Sequence, residues 1–158
     1  MNEKQKRKVI TFTVVGITAA IIISVFSILQ FQGITSQNFS DSYQTIVSQA
    51  RLLTQNYQEE VGKWQSKQYD NATMIKITND YIPKFQHLVD ASKSLQSPKF
   101  EKARDFYTKS LSSEMLSYIY FRNYLGNGNR LAYKQSTQLL SDSLNNETES
   151  FNAFRNVT

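Results

Sequence analysis

The chain has no cysteine, one histidine, one tryptophan, two prolines and five glycines. Without cysteine there is no disulfide framework, no thiolate nucleophile, no cysteine-based metal site and no lipid-modified cysteine. One histidine, His87, cannot supply the paired Glu-x-x-His elements of a di-metal bundle, and no Ser–His–Asp set can be assembled around it. Asp80 and Asp90 lie near it in sequence, and the pattern reads as an exposed, solvated histidine with no metal. The glycines form no phosphate-cradling loop, since Gly126-Asn127-Gly128 is a turn sequence. So few turn formers, with 13% aromatic residues, argue against both a disordered chain and an all-β one.

Charge is also missing over one long interval, because no charged residue occurs between Lys8 and Asp41. Within it, residues 9–29 read VITFTVVGITAAIIISVFSIL. As a helix this run would span roughly 32 Å, against a hydrocarbon core of about 30 Å. Lys4, Lys6, Arg7 and Lys8 precede it and no cation follows closely, so the positive-inside rule keeps residues 1–8 in the cytoplasm. Those cations suit anionic lipid headgroups. The expectation is a single-pass signal-anchor in the cell membrane, with a linker at 30–37 and residues 38–158 outside the cytoplasm. A cleaved secretion signal is the alternative, but the apolar core is long and Gly33-Ile34-Thr35 matches an A-x-A site poorly. Gly16, Ala19 and Ala20 give a weak small-residue motif for helix packing in the bilayer. No glutamate interrupts the run, as a pilin-like processing site would require.

The net charge of +5 is concentrated in the tail; from residue 38 onward there are fourteen basic and twelve acidic side chains. A nearly neutral exported part gives no footprint for nucleic acid.

Beyond the linker, apolar residues recur every three or four positions. Phe39, Tyr43, Ile46, Ala50, Leu53, Tyr57, Val61 and Trp64 make one helical stripe, and Asp70-Asn71 mark a stop and restart. Met74, Ile77, Tyr81, Phe85, Leu88, Ser92 and Leu95 make the next. Pro83 falls within it, which predicts either a kink near Tyr81–Ile82 or a helix starting near Asp80. Ser97-Pro98 reads as an N-cap and first helical position. Phe100, Ala103, Tyr107, Leu111, Met115, Tyr118, Phe121 and Leu125 follow, closed by Gly126-Asn127-Gly128 as a C-cap. Tyr118-Ile119-Tyr120-Phe121 is apolar nearly all round, which predicts a turn that is deeply buried or faces a partner. Asn129 can cap a fourth helix whose stripe is Tyr133, Thr137, Leu140, Leu144, Thr148, Phe151 and Phe154. The fold class expected is all-α: one N-terminal transmembrane helix, then an up-down antiparallel bundle of about four helices with the spacing of coiled-coil packing. Tyrosines on the stripes predict polar atoms or a wet gap in the core, because a buried hydroxyl needs a partner.

Acid–base chemistry would need paired carboxylates, and Glu59-Glu60, Glu101–Asp105 and Glu147–Glu149 are the candidates. Lys102, Arg104 and Lys109 surround Glu101 and Asp105, which is the pattern of a solvated, ion-paired face, and no enzyme activity is expected. Glu114 lies at the edge of the third stripe with Tyr118 one turn on and Arg122 on the same broad face. These three could line a small-molecule site inside the bundle, the alternative being an interhelical ion pair. Asn38, Asn71, Asn146 and Asn156 head Asn-x-Ser/Thr sequons, candidate glycosylation sites on an exported domain.

One segment resembles something more specific. Leu95-Gln96-Ser97-Pro98, then Ala103, Tyr107, Ser110, Glu114 and Tyr118, ending in Tyr124-Leu125-Gly126-Asn127-Gly128, is similar to the central helix of uncharacterised extracytoplasmic bundle proteins. Those proteins have an N-terminal anchor and occur in archaea and Gram-positive bacteria. The resemblance implies a fold and carries no functional residue. With no cofactor expected, the sequence points to an interaction or accessory module that docks on another membrane or envelope protein, or else to a ligand-binding or sensory bundle acting through a membrane partner.

Overall fold

The structure is a computed structural model that describes residues 37–157, with side chains from residue 39. The expected tail, transmembrane helix and most of the linker, residues 1–36, lie outside the described residues. Among the described residues, no helix is long and apolar enough to cross a membrane.

Four helices pack as a bundle: α1 (Gln37–Gln65), α2 (Asn71–Ser94), α3 (Glu101–Asn127) and α4 (Arg130–Arg155), with a 3-10 turn at Pro98–Phe100 leading into α3. Cross-helix hydrogen bonds fix the directions. Tyr57 meets Thr78, Ser92 meets Thr108, and Ser110 meets Ser143. Asn71 reaches Leu125 and Ser150 reaches Ala103. With Trp64 donating to Asn71 as the second bond of the first pair, one index rises as the other falls in each sequential pair, so neighbours run antiparallel and the bundle is up-down-up-down.

Local chemistry sets the helix ends. Asp70 accepts a 2.7 Å hydrogen bond from the Thr73 N–H and caps α2, and the Asn129 side chain accepts from Leu131 and Ala132 to cap α4. Gly128 adopts φ +69°, the left-handed conformation that costs glycine nothing, and its N–H bonds Tyr124 O. Ser97 behaves differently from expectation. Its side chain makes no capping bond, and Pro98 opens the short 3-10 turn instead. α2 runs unbroken through Pro83, so no separate helix starts at Asp80. Pro83 and Asn79 are both exposed, so water can take the Asn79 carbonyl that the proline leaves without a donor.

At one end of the bundle Phe39, Tyr43, Phe100 and Phe154 form a stacked aromatic layer, with Phe39–Phe100 and Phe100–Phe154 centroids both 4.9 Å apart. Each buried ring of this kind contributes about 1.5–3 kcal/mol of burial energy, with up to ~1.5 kcal/mol more from ring geometry. Phe85, Met74, Leu111 and Leu88 continue the core beyond this layer. Three of the buried tyrosines, Tyr43, Tyr57 and Tyr118, find polar partners for their hydroxyls, as expected. Thr78 donates onward to Met74 O and Ser150 to Ala103 O, so Tyr57 and Tyr43 are the donors in their own pairs, at 2.9 and 2.6 Å.

Two expectations are corrected. Tyr118 and Phe121 are buried, but Ile119 and Tyr120 between them remain half-exposed, so that turn is only half in the core. On α4, the expected stripe at Tyr133, Thr137, Leu140, Leu144 and Thr148 is not the innermost face, and Thr148 is exposed. The buried positions are Ala132, Ser136, Ser143, Glu147 and Ser150, with Phe151 and Phe154. The cause is helix spacing. Ala103, Ser110 and Ser117 on α3 recur every seven residues and face Ser150, Ser143 and Ser136 on α4 in antiparallel register. Two of these facing pairs are hydrogen-bonded directly, Ser110–Ser143 and Ser150 to Ala103 O. Small residues at the seam let the backbones approach, and they become the most enclosed positions on the helix. α3 and α4 accordingly make the most intimate pair of the bundle, whereas the backbones of α1 and α4 stay apart over most of their length.

Candidate functional site

The separation of α1 from α4 leaves a trench between them, floored by α3. It has two compartments. The outer one is a cleft of about 120 Å³ with mostly apolar walls, lined by Tyr57 and Trp64 of α1, Tyr118 and Phe121 of α3, and Tyr133 and Leu140 of α4. The inner one is a small cavity of about 20 Å³, one turn nearer the aromatic layer, lined by Thr54, Tyr107, Ser110, Glu114, Ser143 and Glu147 among others. Glu114 lines both compartments and marks their junction.

Glu114 is 6% exposed, and its Oε1 accepts two short hydrogen bonds, from Thr54 Oγ1 at 2.7 Å and from Tyr118 Oη at 2.6 Å. The interhelical ion pair offered as an alternative does not form, since hydroxyls serve the carboxyl where a cation was expected. Burial raises its pKa above the ordinary carboxylate value, against the opposing pull of the two hydroxyl donors. Tyr118 is held in turn by Tyr57, with ring centroids 4.0 Å apart, and by the edge of Phe85. The carboxyl therefore sits in a rigid setting fixed by three helices.

Glu147 is the second acid. It is 8% exposed and lines the inner cavity, and since no enclosed side-chain polar atom among the described residues lacks a hydrogen-bond partner, its carboxyl is open to that cavity. Burial pushes its pKa up to about 8, with a further contribution from the nearby charge of Glu114. By sequence, Glu147 stands out only through its pairing with Glu149. The seven-residue recurrence of Ser136, Ser143 and Ser150 was the available signal, because Glu147 falls on that same face, four residues after Ser143 and three before Ser150.

Of the sequence-predicted site residues, Glu114 and Tyr118 come together and Arg122 does not. Its guanidinium donates to Asn79 Oδ1 at 3.0 Å on the exposed α2–α3 face, away from the trench. Arg122 points away because eight residues from Glu114 is 80° beyond two full turns. The one cationic side chain lining the inner cavity is Arg51 of α1. His87 is exposed on α2, and among the described residues no group of three or more potential ligands could hold a metal. Arg104 binds Asp105 and Glu101 at the surface, the solvated ion-paired face read from the sequence. Asn71 is committed to structure: its side chain accepts from Trp64 Nε1 and donates to Leu125 O. Asn146 donates to Asp142 O within α4, and Asn156 is exposed at its C-terminus. Asn38 belongs to the first turn of α1.

What the fold and site define is an all-α four-helix bundle with a lateral, aromatic-walled trench that ends on buried carboxyls. Searches against family models, curated proteins and solved structures return no match for this chain.

Proposed function

We propose that the bundle is a binding module for a small, largely apolar molecule, seated in the cleft between α1 and α4. The observation that carries this is the cleft itself. Natural cores are close-packed, yet here two helices of one bundle leave an apolar space of about 120 Å³ beside a buried, rigidly held Glu114. Apolar walls with a few convergent polar groups are the usual makeup of small-molecule sites. The reading keeps residues 9–29 as a membrane anchor with the bundle outside the cytoplasm. The apolar run and the flanking Lys4–Lys8 support that placement, and a carbonate wash with protease protection tests it. No catalytic step is proposed.

Trp64, the chain's one tryptophan, lines the cleft and reports its occupancy. Cyclohexanol or hexanol should change Trp64 emission saturably, and Gly62→Phe should abolish that change. A β-carbon at Gly62 would meet nothing within 4 Å, so the new ring fills the cleft without forcing the helix apart. Emission that responds linearly or not at all, to every probe, refutes the reading.

A second reading, docking onto another membrane or envelope protein, is favoured by Leu52. It is 58% exposed beside an open groove lined by Leu53, Pro83 and His87. Leu52→Glu should then reduce recovery of a partner after mild detergent extraction, and unchanged recovery argues against this surface.

A further inference from the structure

Resting on the reading of the trench as a ligand site, we infer that its occupant is a primary amine: an ammonium head in the inner cavity between Glu114 and Glu147, with an apolar body lying along the cleft toward Trp64 and Phe121. The inner cavity sets two carboxyls and several hydroxyls beside Arg51, Gln55 and the apolar Ala50 and Leu111. Two carboxyls and the hydroxyls of Thr54, Ser110, Ser143 and Tyr107 surround a space of about 20 Å³, which is room for one water-sized group. Glu147 is the decisive member. It is more than nine-tenths buried as a residue and lines this cavity, and its carboxyl opens into the cavity, since no enclosed polar atom among the described residues is left without a partner. A cation in the cavity would take the place of water beside that carboxylate.

An ammonium supplies three donors and no acceptor, which complements such a wall. Competing occupants fit less well. A guanidinium is a broad planar fork, too large for a one-water space. A calcium-like ion needs six to eight oxygens, and no cluster of three ligating residues exists among the described residues. A carboxylate or phosphate would face two acids. The cleft then receives the rest of the molecule, its volume of about 120 Å³ approaching the ~150 Å³ of apolar cavities that accept benzene. Because Glu114 stands at the junction, one molecule can touch both compartments.

The full chain in mild detergent tests this by calorimetric titration with hexylammonium, hexanol, hexanoate, sodium chloride and calcium chloride. Hexylammonium should bind at least tenfold more tightly than hexanol, and hexanoate should not bind. Glu147→Gln, which keeps the shape and removes the charge, should erase the amine preference while hexanol binding persists; Glu149→Gln, on the exposed face, should change nothing. Partition of the probes into detergent is common to all proteins and cancels in the comparison. Between about pH 5.5 and 8.5, hexylammonium affinity should rise as Glu114 and Glu147 ionise, with protons released on binding. Equal affinity for hexanol and hexylammonium in the wild type, or an amine preference that survives in Glu147→Gln, overturns the amine assignment and leaves the cleft reading standing. A response to sodium or calcium alone overturns it in favour of a metal site. No binding of any organic probe overturns both.

Discussion

A buried acid whose pKa is raised makes folding depend on pH in a direction opposite to most carboxylates. Glu147 ionises near 4.5 when unfolded and near 8 when folded. Its contribution is therefore fully present below about pH 4.5, falls away as pH rises, and is gone above about pH 8. Each pH step in that window removes about 1.4 kcal/mol of folding free energy, or about 5 kcal/mol across it. That figure is an upper limit, since any local opening that wets the carboxylate reduces the cost. Against a typical total of about 5–15 kcal/mol it is a large effect. Glu114 shifts in the same direction and adds to it. Asp70 and Glu60, held low by their hydrogen bonds to Thr73 and Lys63, lose their contributions only at acid pH, so the stability maximum should fall near pH 5. Urea unfolding of the full chain in mild detergent, followed by circular dichroism at about 222 nm, measures this directly. The wild type should be several kcal/mol less stable near pH 8.5 than near pH 5, whereas Glu147→Gln should lose less than half as much and be the more stable protein at the higher pH. Wild-type stability that holds level or rises over this interval, or an equal slope in the variant, would show that Glu147 is not buried as described.

Further outcomes follow from the packing. Ser143→Leu forces a branched side chain into the close α3–α4 seam and should cost about 1–3 kcal/mol or more in thermal or urea unfolding, whereas Ser143→Ala should cost about 1 kcal/mol or less. Tyr118→Phe removes one of two donors to Glu114 Oε1. It should destabilise the bundle by about 1–2 kcal/mol, most at high pH, because the ionised carboxylate loses more than the neutral acid. Asn129→Ala deletes the cap of α4 and should cost about 1 kcal/mol, while Gly128→Ala, at φ +69°, should cost about as much through backbone strain. Melting temperatures equal to wild type in both would mean that the α3–α4 turn does not set the start of α4.

The helices were legible because their cause is local. Apolar spacing, the Asp70 and Asn129 caps and the Gly128 turn depend on neighbours in sequence, and the structure places helices where those signals fall. The need of the core tyrosines for hydroxyl partners was legible too, being a property of the phenol alone. Tertiary spacing decided the rest. Serine is neutral in a hydropathy pattern, so the stripe on α4 was drawn through Leu140 and Leu144. Only the facing small residues of α3 make Ser136, Ser143 and Ser150 the inner face, and they carry Glu147 inward with them. The same approach of α4 to α3 draws it away from α1 and opens the trench. Glu114 stood out from sequence at a stripe edge, but whether it met a cation or two hydroxyls depended on which turn of α1 lay opposite. Periodicity along one chain reports which residues share a face; how closely two faces approach, and so which polar groups lose their water, is a property of the pair.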